Sequence, residues 1–383
     1  MTLLSLKGKM SMNEKPKVIN MLAVTHHSRE NINPIRPEAS QVIGLHLSGK
    51  VKVTALCNPN STLIPFYEQH GIEVLTDPLD KKLSFSTIRK IRQLIHEKNI
   101  DILHLFNNIA CSNGATAAIG TNVKVIAYRG QTGNISRMDP ASYLSMLHPR
   151  LDKIICVAKA VELELKTHLG RHKEKAVTVY KGHDASWYQK PKADLSSLGL
   201  PEDSFIISLV ANLRPRKGLP VLMEALSLLP TDINLDVLLV GADPTSPQIQ
   251  TLIESSGRIG RVHALGYRTD APEVAAASHL TVLPTTKREG LCRAVLEANS
   301  YGVPAIVSDT GGNAELVKDG YTGIVVPPSD ARALADAILE LYKNRALCKQ
   351  YGERAKQRAI SKFNVEQGVE STLNIYNGLL ESH

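Results

Sequence analysis

Two acids flank what reads as the start of a helix. In Pro284-Thr-Thr-Lys-Arg-Glu289-Gly290-Leu291-Cys292-Arg-Ala-Val-Leu-Glu297 the preceding run Leu280–Leu283 reads as a buried strand. After Gly290, the residues Leu291, Val295, Leu296 and Ala298 fall on one helical face, which puts Glu289 in a strand-to-helix turn. Glu297, seven residues past Gly290, returns to nearly the same face about 10 Å along the axis. Free amides at Gly290, Leu291 and Cys292, together with the positive helix end, favour a phosphate. Glu297 would repel a phosphate but accept hydrogen bonds from hydroxyls. Such a site holds a diphosphate at the helix tip, a ribose near Glu297 and a second polyhydroxylated group near Glu289, which is the shape of a nucleotide sugar. Taken alone, two glutamates near a helix are more often solvated surface charges, so the neighbouring segments decide the matter.

Those segments carry a resemblance. The two acids, followed by Gly302-Val-Pro304-Ala-Ile-Val-Ser-Asp-Thr-Gly311-Gly312-Asn-Ala-Glu315, are similar to the donor half of the family-4 retaining glycosyltransferases, which have the two-Rossmann GT-B architecture. The match runs from about Ser208 to Asp330. The resemblance implies that Glu289 holds the transferred sugar and Glu297 the ribose. Leu213-Arg214-Pro-Arg216-Lys217-Gly218 resembles the basic loop that grips the donor diphosphate, and Gly266-Tyr267 the loop beside the base. Where the family commonly has Gly-Arg, this chain has Ala211-Asn212. Arg214, on the same side of an extended segment as Asn212, is expected to supply the missing charge.

The first half is less legible. Tyr128-Arg129-Gly130 stands where the family often has a histidine facing the sugar, so Arg129 is expected to meet the donor phosphate or an anionic acceptor. Asp101-Ile-Leu-His104 resembles the strand end beside the cleft, and Tyr180-Lys181-Gly182-His183-Asp184 the end of the first domain, with Lys181 and His183 as departures. The loop after Thr25 lacks the paired glycines of many relatives, and its Arg29, Asn31 and Arg36 are expected, with His104 and His183, on the acceptor side.

No Asp-x-Asp triplet occurs, so no acidic anchor for a donor-bound cation is visible and no metal or cofactor is expected. Adjacent His26 and His27 are not a metal pair on any regular element, and His168 with His172 lacks further ligands. Charge on the leaving diphosphate then falls to Arg214, Lys217 and helix amides. No carboxylate placed for a double displacement is identifiable. By resemblance, the sugar is transferred with retention on one face. A nucleotide-sugar epimerase or hydrolase of the same shape, or a silent nucleotide-sugar-binding scaffold, remains open. A dinucleotide oxidoreductase is disfavoured, because no Gly-x-Gly-x-x-Gly follows either domain's first strand.

The elements that must position these residues alternate as β and α along 383 residues, of which 43% are hydrophobic, enough for two α/β cores with parallel sheets. Strands are expected at Val18–Thr25, Val51–Leu56, Ile72–Leu75, Ile100–Leu105, Val123–Ala127, Lys153–Val157 and Val177–Tyr180, and a second series opens at Ile206–Val210. The expected division is 1–188 (acceptor domain, with 1–16 a disordered lead), 189–201 (linker), 202–364 (donor domain) and 365–383. That last helix, by resemblance, packs back on the first domain. Five scattered cysteines argue for a reducing compartment. The apolar run before Lys7 and Lys9 is too short for a signal peptide, and no stretch approaches the ~20 residues of a membrane span, so a cytoplasmic protein is expected. A formal charge of +8 suits anionic partners, and the segment Ser84–Lys98, amphipathic with a basic polar side, suits anionic lipid. Aromatic residues at 4% and the lack of any zinc-finger spacing argue against nucleic acid.

Overall fold

The computed structural model describes residues 18–25, 37–212 and 214–381. The first sheet holds β1 (Ile19–Thr25), β2 (Val51–Cys57), β3 (Glu73–Thr76), β4 (Ile102–Leu105), β5 (Lys124–Arg129), β6 (Lys153–Cys156) and β7 (Ala176–Thr178), in the order β3-β2-β1-β4-β5-β6-β7. The second holds β8 (Phe205–Val210), β9 (Leu235–Val240), β10 (Val262–Ala264), β11 (Leu280–Leu283), β12 (Ala305–Ser308) and β13 (Gly323–Val326), in the order β10-β9-β8-β11-β12-β13. Pairing is parallel, with Ile19 opposite Val51 and Met21 opposite Ile102 in the first sheet, and Phe205 opposite Leu235 and Leu280 opposite Ile207 in the second. Strands β9, β11 and β12 are buried along their whole length, which is why they read as continuous apolar runs rather than alternating ones. Strand order reverses between β1 and β4 and between β8 and β11, and ligands of such sheets bind at the carboxyl ends beside those reversals.

Helices cover the sheets where the apolar periodicity placed them. The helix Phe85–Glu97 starts on Ser84, whose hydroxyl accepts from the Thr87 amide, and buries Ile91, Leu94 and Ile95. Residues 331–362 break at Asn344, whose side chain caps the second helix, Arg345–Lys362. The segment expected as a plain linker is packed: Ala193, Leu195, Leu198 and Leu200 lie against Leu238, Val240 and Val274 of the second domain. One apolar cluster runs from the first sheet into Leu291, Val295, Leu296 and Leu316, so the two domains share a core.

After Phe363 the chain crosses to the first domain. The His183 amide donates to the Phe363 carbonyl at 2.7 Å, and the helix Val365–Glu381 then lies against the helix Pro37–Leu47, with Gln41 Nε2 donating to Thr372 Oγ1 at 2.5 Å. This crossing corrects two assignments. His104, expected on the acceptor side, is wholly buried: its Nδ1 meets the Tyr376 hydroxyl at 2.7 Å and its ring stacks on Phe106. His183 is buried at the crossing, bonded to the Tyr188 hydroxyl and beside Trp187. His104 is covered by a residue from the far end of the chain, whereas the His183 ring is closed over by its sequence neighbours Trp187 and Tyr188, with only its backbone bonded to Phe363.

Burial pushes His104 and His183 down to about 3, with Arg293 and Lys181 adding to the effect at His183. Both are neutral in the fold, whereas in the unfolded chain they take up protons below their ordinary value of 6.5. Their contribution is therefore fully present above that value and is lost as pH falls toward 3. At about pH 5 each should cost about 2 kcal/mol relative to neutral pH. Urea unfolding at about pH 7.5 and about pH 5 should show a loss roughly 2 kcal/mol smaller in His104→Leu than in the parent. Identical losses in the two proteins would contradict this.

Candidate functional site

The carboxyl ends of β8, β9 and β11 open on a pocket of about 650 Å³, beside the second sheet's order reversal. Lys217, Glu289, Cys292, Arg293 and Glu297 all line it, together with Asn212 after β8 and Tyr267 after β10. The basic loop reaches the pocket through Gly218. Its φ of +80° suits glycine, and a Cβ there would lie 1.9 Å from the Pro284 carbonyl oxygen, so only glycine lets the loop fold onto the end of β11. That approach sets Lys217 Nζ 2.6 Å from Glu289 Oε2. The same oxygen accepts from Thr285 Oγ1 at 3.2 Å, and Oε1 accepts from the Gly290 amide at 3.3 Å. Both charged side chains are only about a tenth exposed, 12% and 10%.

The helix begins later than its apolar pattern suggests. It spans Arg293–Ser300, and Cys292 occupies the N-cap without a side-chain hydrogen bond, so Gly290–Cys292 form the turn. The uncapped amides are therefore those of the first turn from Arg293 onward. Glu297 stands four residues from that start, a rise of roughly 6 Å instead of about 10 Å. Its Oε1 accepts from Arg293 Nε at 2.5 Å, an i,i+4 pair inside the pocket. Burial pushes the Glu297 carboxyl up, against the pull of Arg293. Arg293 is itself desolvated, but Glu297 outweighs that and holds its guanidinium above the usual value. Burial takes the Cys292 thiol up to about 11, so it is protonated at neutral pH.

Other expected residues lie elsewhere. Arg214 is exposed and outside the described lining. Its backbone is extended (φ −59°, ψ 146°), just ahead of the 3-10 turn Pro215–Lys217. Arg216 turns to the Arg288 carbonyl. Arg129 is buried and does not line the pocket; it donates to the Gly133 carbonyl, near Glu164. That loop meets the site by backbone instead: the Thr132 amide and hydroxyl both donate to the Glu289 carbonyl oxygen at 3.1 Å. Arg29, Asn31 and Arg36 lie outside the described residues. Sequence reasoning missed Arg293, whose spacing from Glu297 was the available signal, and Thr132, for which no local signal exists.

Two family models match the chain: Glycosyltransferase Family 4 over residues 45–187 and Glycosyl transferases group 1 over residues 192–358. The chain is 27% identical over 300 residues to the N-acetyl-alpha-D-glucosaminyl L-malate synthase of Bacillus anthracis, covering 76% of this chain and 78% of that protein. A glycosyltransferase from Rickettsia africae superposes with a TM-score of 0.81 at 20% identity, over 96% of this chain and 100% of the other. Anabaena Alr3699/HepE in complex with UDP superposes at 0.76 with 20% identity, over 94% and 100%. These likenesses show the fold to be the GT-B arrangement of two Rossmann-like domains.

The geometry makes the Lys217–Glu289 pair a coupled unit. Lys217→Met, which leaves Glu289 nearly buried without its cation, should destabilise the protein by about 3 kcal/mol. Glu289→Gln in that background should recover part of the loss, giving a coupling of roughly 1–3 kcal/mol in a denaturant double-mutant cycle. Additive effects would contradict a formed pair.

Proposed function

Because this chain belongs to the glycosyl transferases group 1, the family-4 glycosyltransferases, we propose that it moves a hexose from a nucleoside diphosphate sugar to a hydroxyl of a saccharide or lipid-linked saccharide, with retention of configuration and without a metal. The observation that carries this reading is the convergence of Lys217, Glu289, Glu297 and an uncapped helix start on one pocket. The diphosphate sits at the first turn of the helix from Arg293, with Lys217 turned onto it. Glu297 accepts the ribose hydroxyls and Glu289 those of the transferred sugar. Tyr267 and Asn212 flank the nucleotide. As the bond to the anomeric carbon breaks, negative charge grows on the diphosphate, and Lys217 and the helix amides stabilise it. The leaving phosphate oxygen takes the proton of the acceptor hydroxyl on the face where the new bond forms. A solved structural neighbour in complex with UDP makes a uridine donor the first to test.

Thermal-shift screening against UDP-, GDP- and ADP-sugars should reveal one stabilising class, since ligand at about 100 times its dissociation constant adds about 2.7 kcal/mol. With that donor, Glu297→Gln should weaken nucleotide binding about tenfold or more, equivalent to about 1.4 kcal/mol. Glu289→Gln should bind the free nucleotide within about threefold of the parent yet lose at least about 100-fold in transfer, about 2.7 kcal/mol. NMR of the early product should show the donor's anomeric configuration, and EDTA should leave the rate unchanged. Nucleotide released at the same rate without acceptor would identify a hydrolase, and binding without any turnover a scaffold.

No helix among the described residues is long and apolar enough to cross a membrane. Recruitment to anionic lipid is proposed at the start of the helix Phe85–Glu97, where Leu83 and Phe85 are exposed beside exposed Lys81, Lys82 and Arg89. The rest of that basic face is engaged: Lys90 holds the Thr76 carbonyl, Arg92 the Ile119 carbonyl and Lys98 the Glu73 carboxylate. Sedimentation with liposomes should therefore require anionic lipid and fall with salt, and Phe85→Ser should reduce it severalfold. No binding at low salt would refute recruitment.

A further inference from the structure

The Gly311-Gly312-Asn-Ala-Glu315 segment after β12 lines no part of the donor pocket, yet Glu315 reaches the other domain. Its Oε2 accepts from the Lys159 amide at 2.8 Å and its Oε1 from the Ala160 amide at 2.7 Å. The Tyr180 hydroxyl donates to Oε2 at 2.8 Å. Lys159 and Ala160 open the first-domain helix Lys159–Leu169, whose N-cap residue is Ala158 and which has no side-chain cap of its own. A carboxylate from the second domain thus does what a local Ser, Thr or Asp would do, with the helix dipole adding to the attraction. The backbone oxygen of Glu315 is in turn held by Arg358 Nη2 at 2.7 Å, on the helix that leads to the crossing.

This contact stands directly behind the Glu289 turn. The Gly312 amide donates to the Gly290 carbonyl at 2.8 Å, and a Cβ on Gly312 would fall 2.6 Å from that of Ala158. A Cβ on Gly290 would fall 2.0 Å from the Gly130 carbonyl oxygen. Backbones of the two domains therefore touch from Ala158 through Gly312 and Gly290 to Gly130, and the Gly130 loop carries the Thr132 that holds Glu289.

We propose that Glu315 is a positioning residue that locks the two domains in the register required for sugar transfer. It touches neither the donor nor the reacting atoms. It fixes the start of the helix Lys159–Leu169, and through it the 130–133 loop, against the turn that carries Glu289. The inference rests on the reading of that pocket as the donor site. Donor binding is built within the second domain and does not need the lock, whereas transfer to an acceptor held by the first domain does.

The test compares the full-length parent with Glu315→Ala, Glu315→Gln and Tyr180→Phe. Small-angle X-ray scattering reads domain closure directly, and Trp187, the sole tryptophan, reports from the crossing. Calorimetry with UDP, ADP and GDP as probes reads the donor pocket. In Glu315→Ala the radius of gyration should rise and the Trp187 emission shift. The nucleotide dissociation constant should stay within about twofold and kcat should fall at least about tenfold with little change in donor KM, about 1.4 kcal/mol in the transition state alone. Glu315→Gln, which keeps one acceptor oxygen, should be intermediate and covers the case in which the alanine variant does not fold. Adding Tyr180→Phe to Glu315→Ala should change nothing more, because both act through one contact. Unchanged scattering and kcat in folded Glu315→Ala or Glu315→Gln would overturn the proposal, as would a rate loss explained by the folded fraction alone. Failure of the parent to bind any of the three nucleotides would count against the donor reading, and scattering would then still decide the lock.

Discussion

Glu289 faces two ways. Its carboxylate is held by Lys217 from the basic loop of the same domain, while its carbonyl oxygen takes two hydrogen bonds from Thr132 of the other domain. An anion this little exposed needs a close cation and hydrogen bonds to persist, and Lys217, Thr285 and the Gly290 amide supply them. The demand propagates outward. Lys217 can reach only because Gly218 lies on the Pro284 carbonyl, and the turn can meet the first domain only because Gly290 offers no side chain to Gly130. The shared apolar cluster under the turn and the returning helix Val365–Glu381 keep the halves in a relation that permits both contacts. Arg293 repeats the arrangement one helical turn away, holding Glu297.

Much of the fold was legible because its signals are local. Strands buried on both faces read as uninterrupted apolar runs, and Leu235–Val240, Leu280–Leu283 and Ala305–Ser308 stand where those runs do. The amphipathic stretch Ser84–Lys98 stands as the helix Phe85–Glu97, which the Ser84 hydroxyl caps. The acidic side of the pocket was legible for the same reason, since Glu289, Gly290 and Glu297 lie within one turn and one short helix. Its start was missed by three residues, because Leu291 continues the apolar period although the backbone there is still turning.

What was not legible depends on contacts between distant parts of the chain. His104 was assigned to the cleft, but its partner Tyr376 lies 272 residues away, on a helix whose destination no period reveals. Arg129 was expected to meet the donor phosphate or an anionic acceptor, and it is buried instead, bonded to the carbonyl of Gly133 with Glu164 nearby. Arg214 was expected to replace a family arginine; it is exposed and is not among the residues that line the pocket. For His104 and Arg129 the ring and the charge were read correctly and the direction was not, because direction is set by tertiary packing.

A crystal structure of the chain with a nucleoside diphosphate bound addresses the site most directly. The diphosphate should lie at the first turn of the helix Arg293–Ser300, with Lys217 Nζ about 3 Å from a phosphate oxygen and Glu297 on the ribose. A diphosphate bound elsewhere, or one in the pocket with Lys217 still turned to Glu289 and no helix amide in contact, would contradict the assignment of that helix start and Lys217 as the joint phosphate grip.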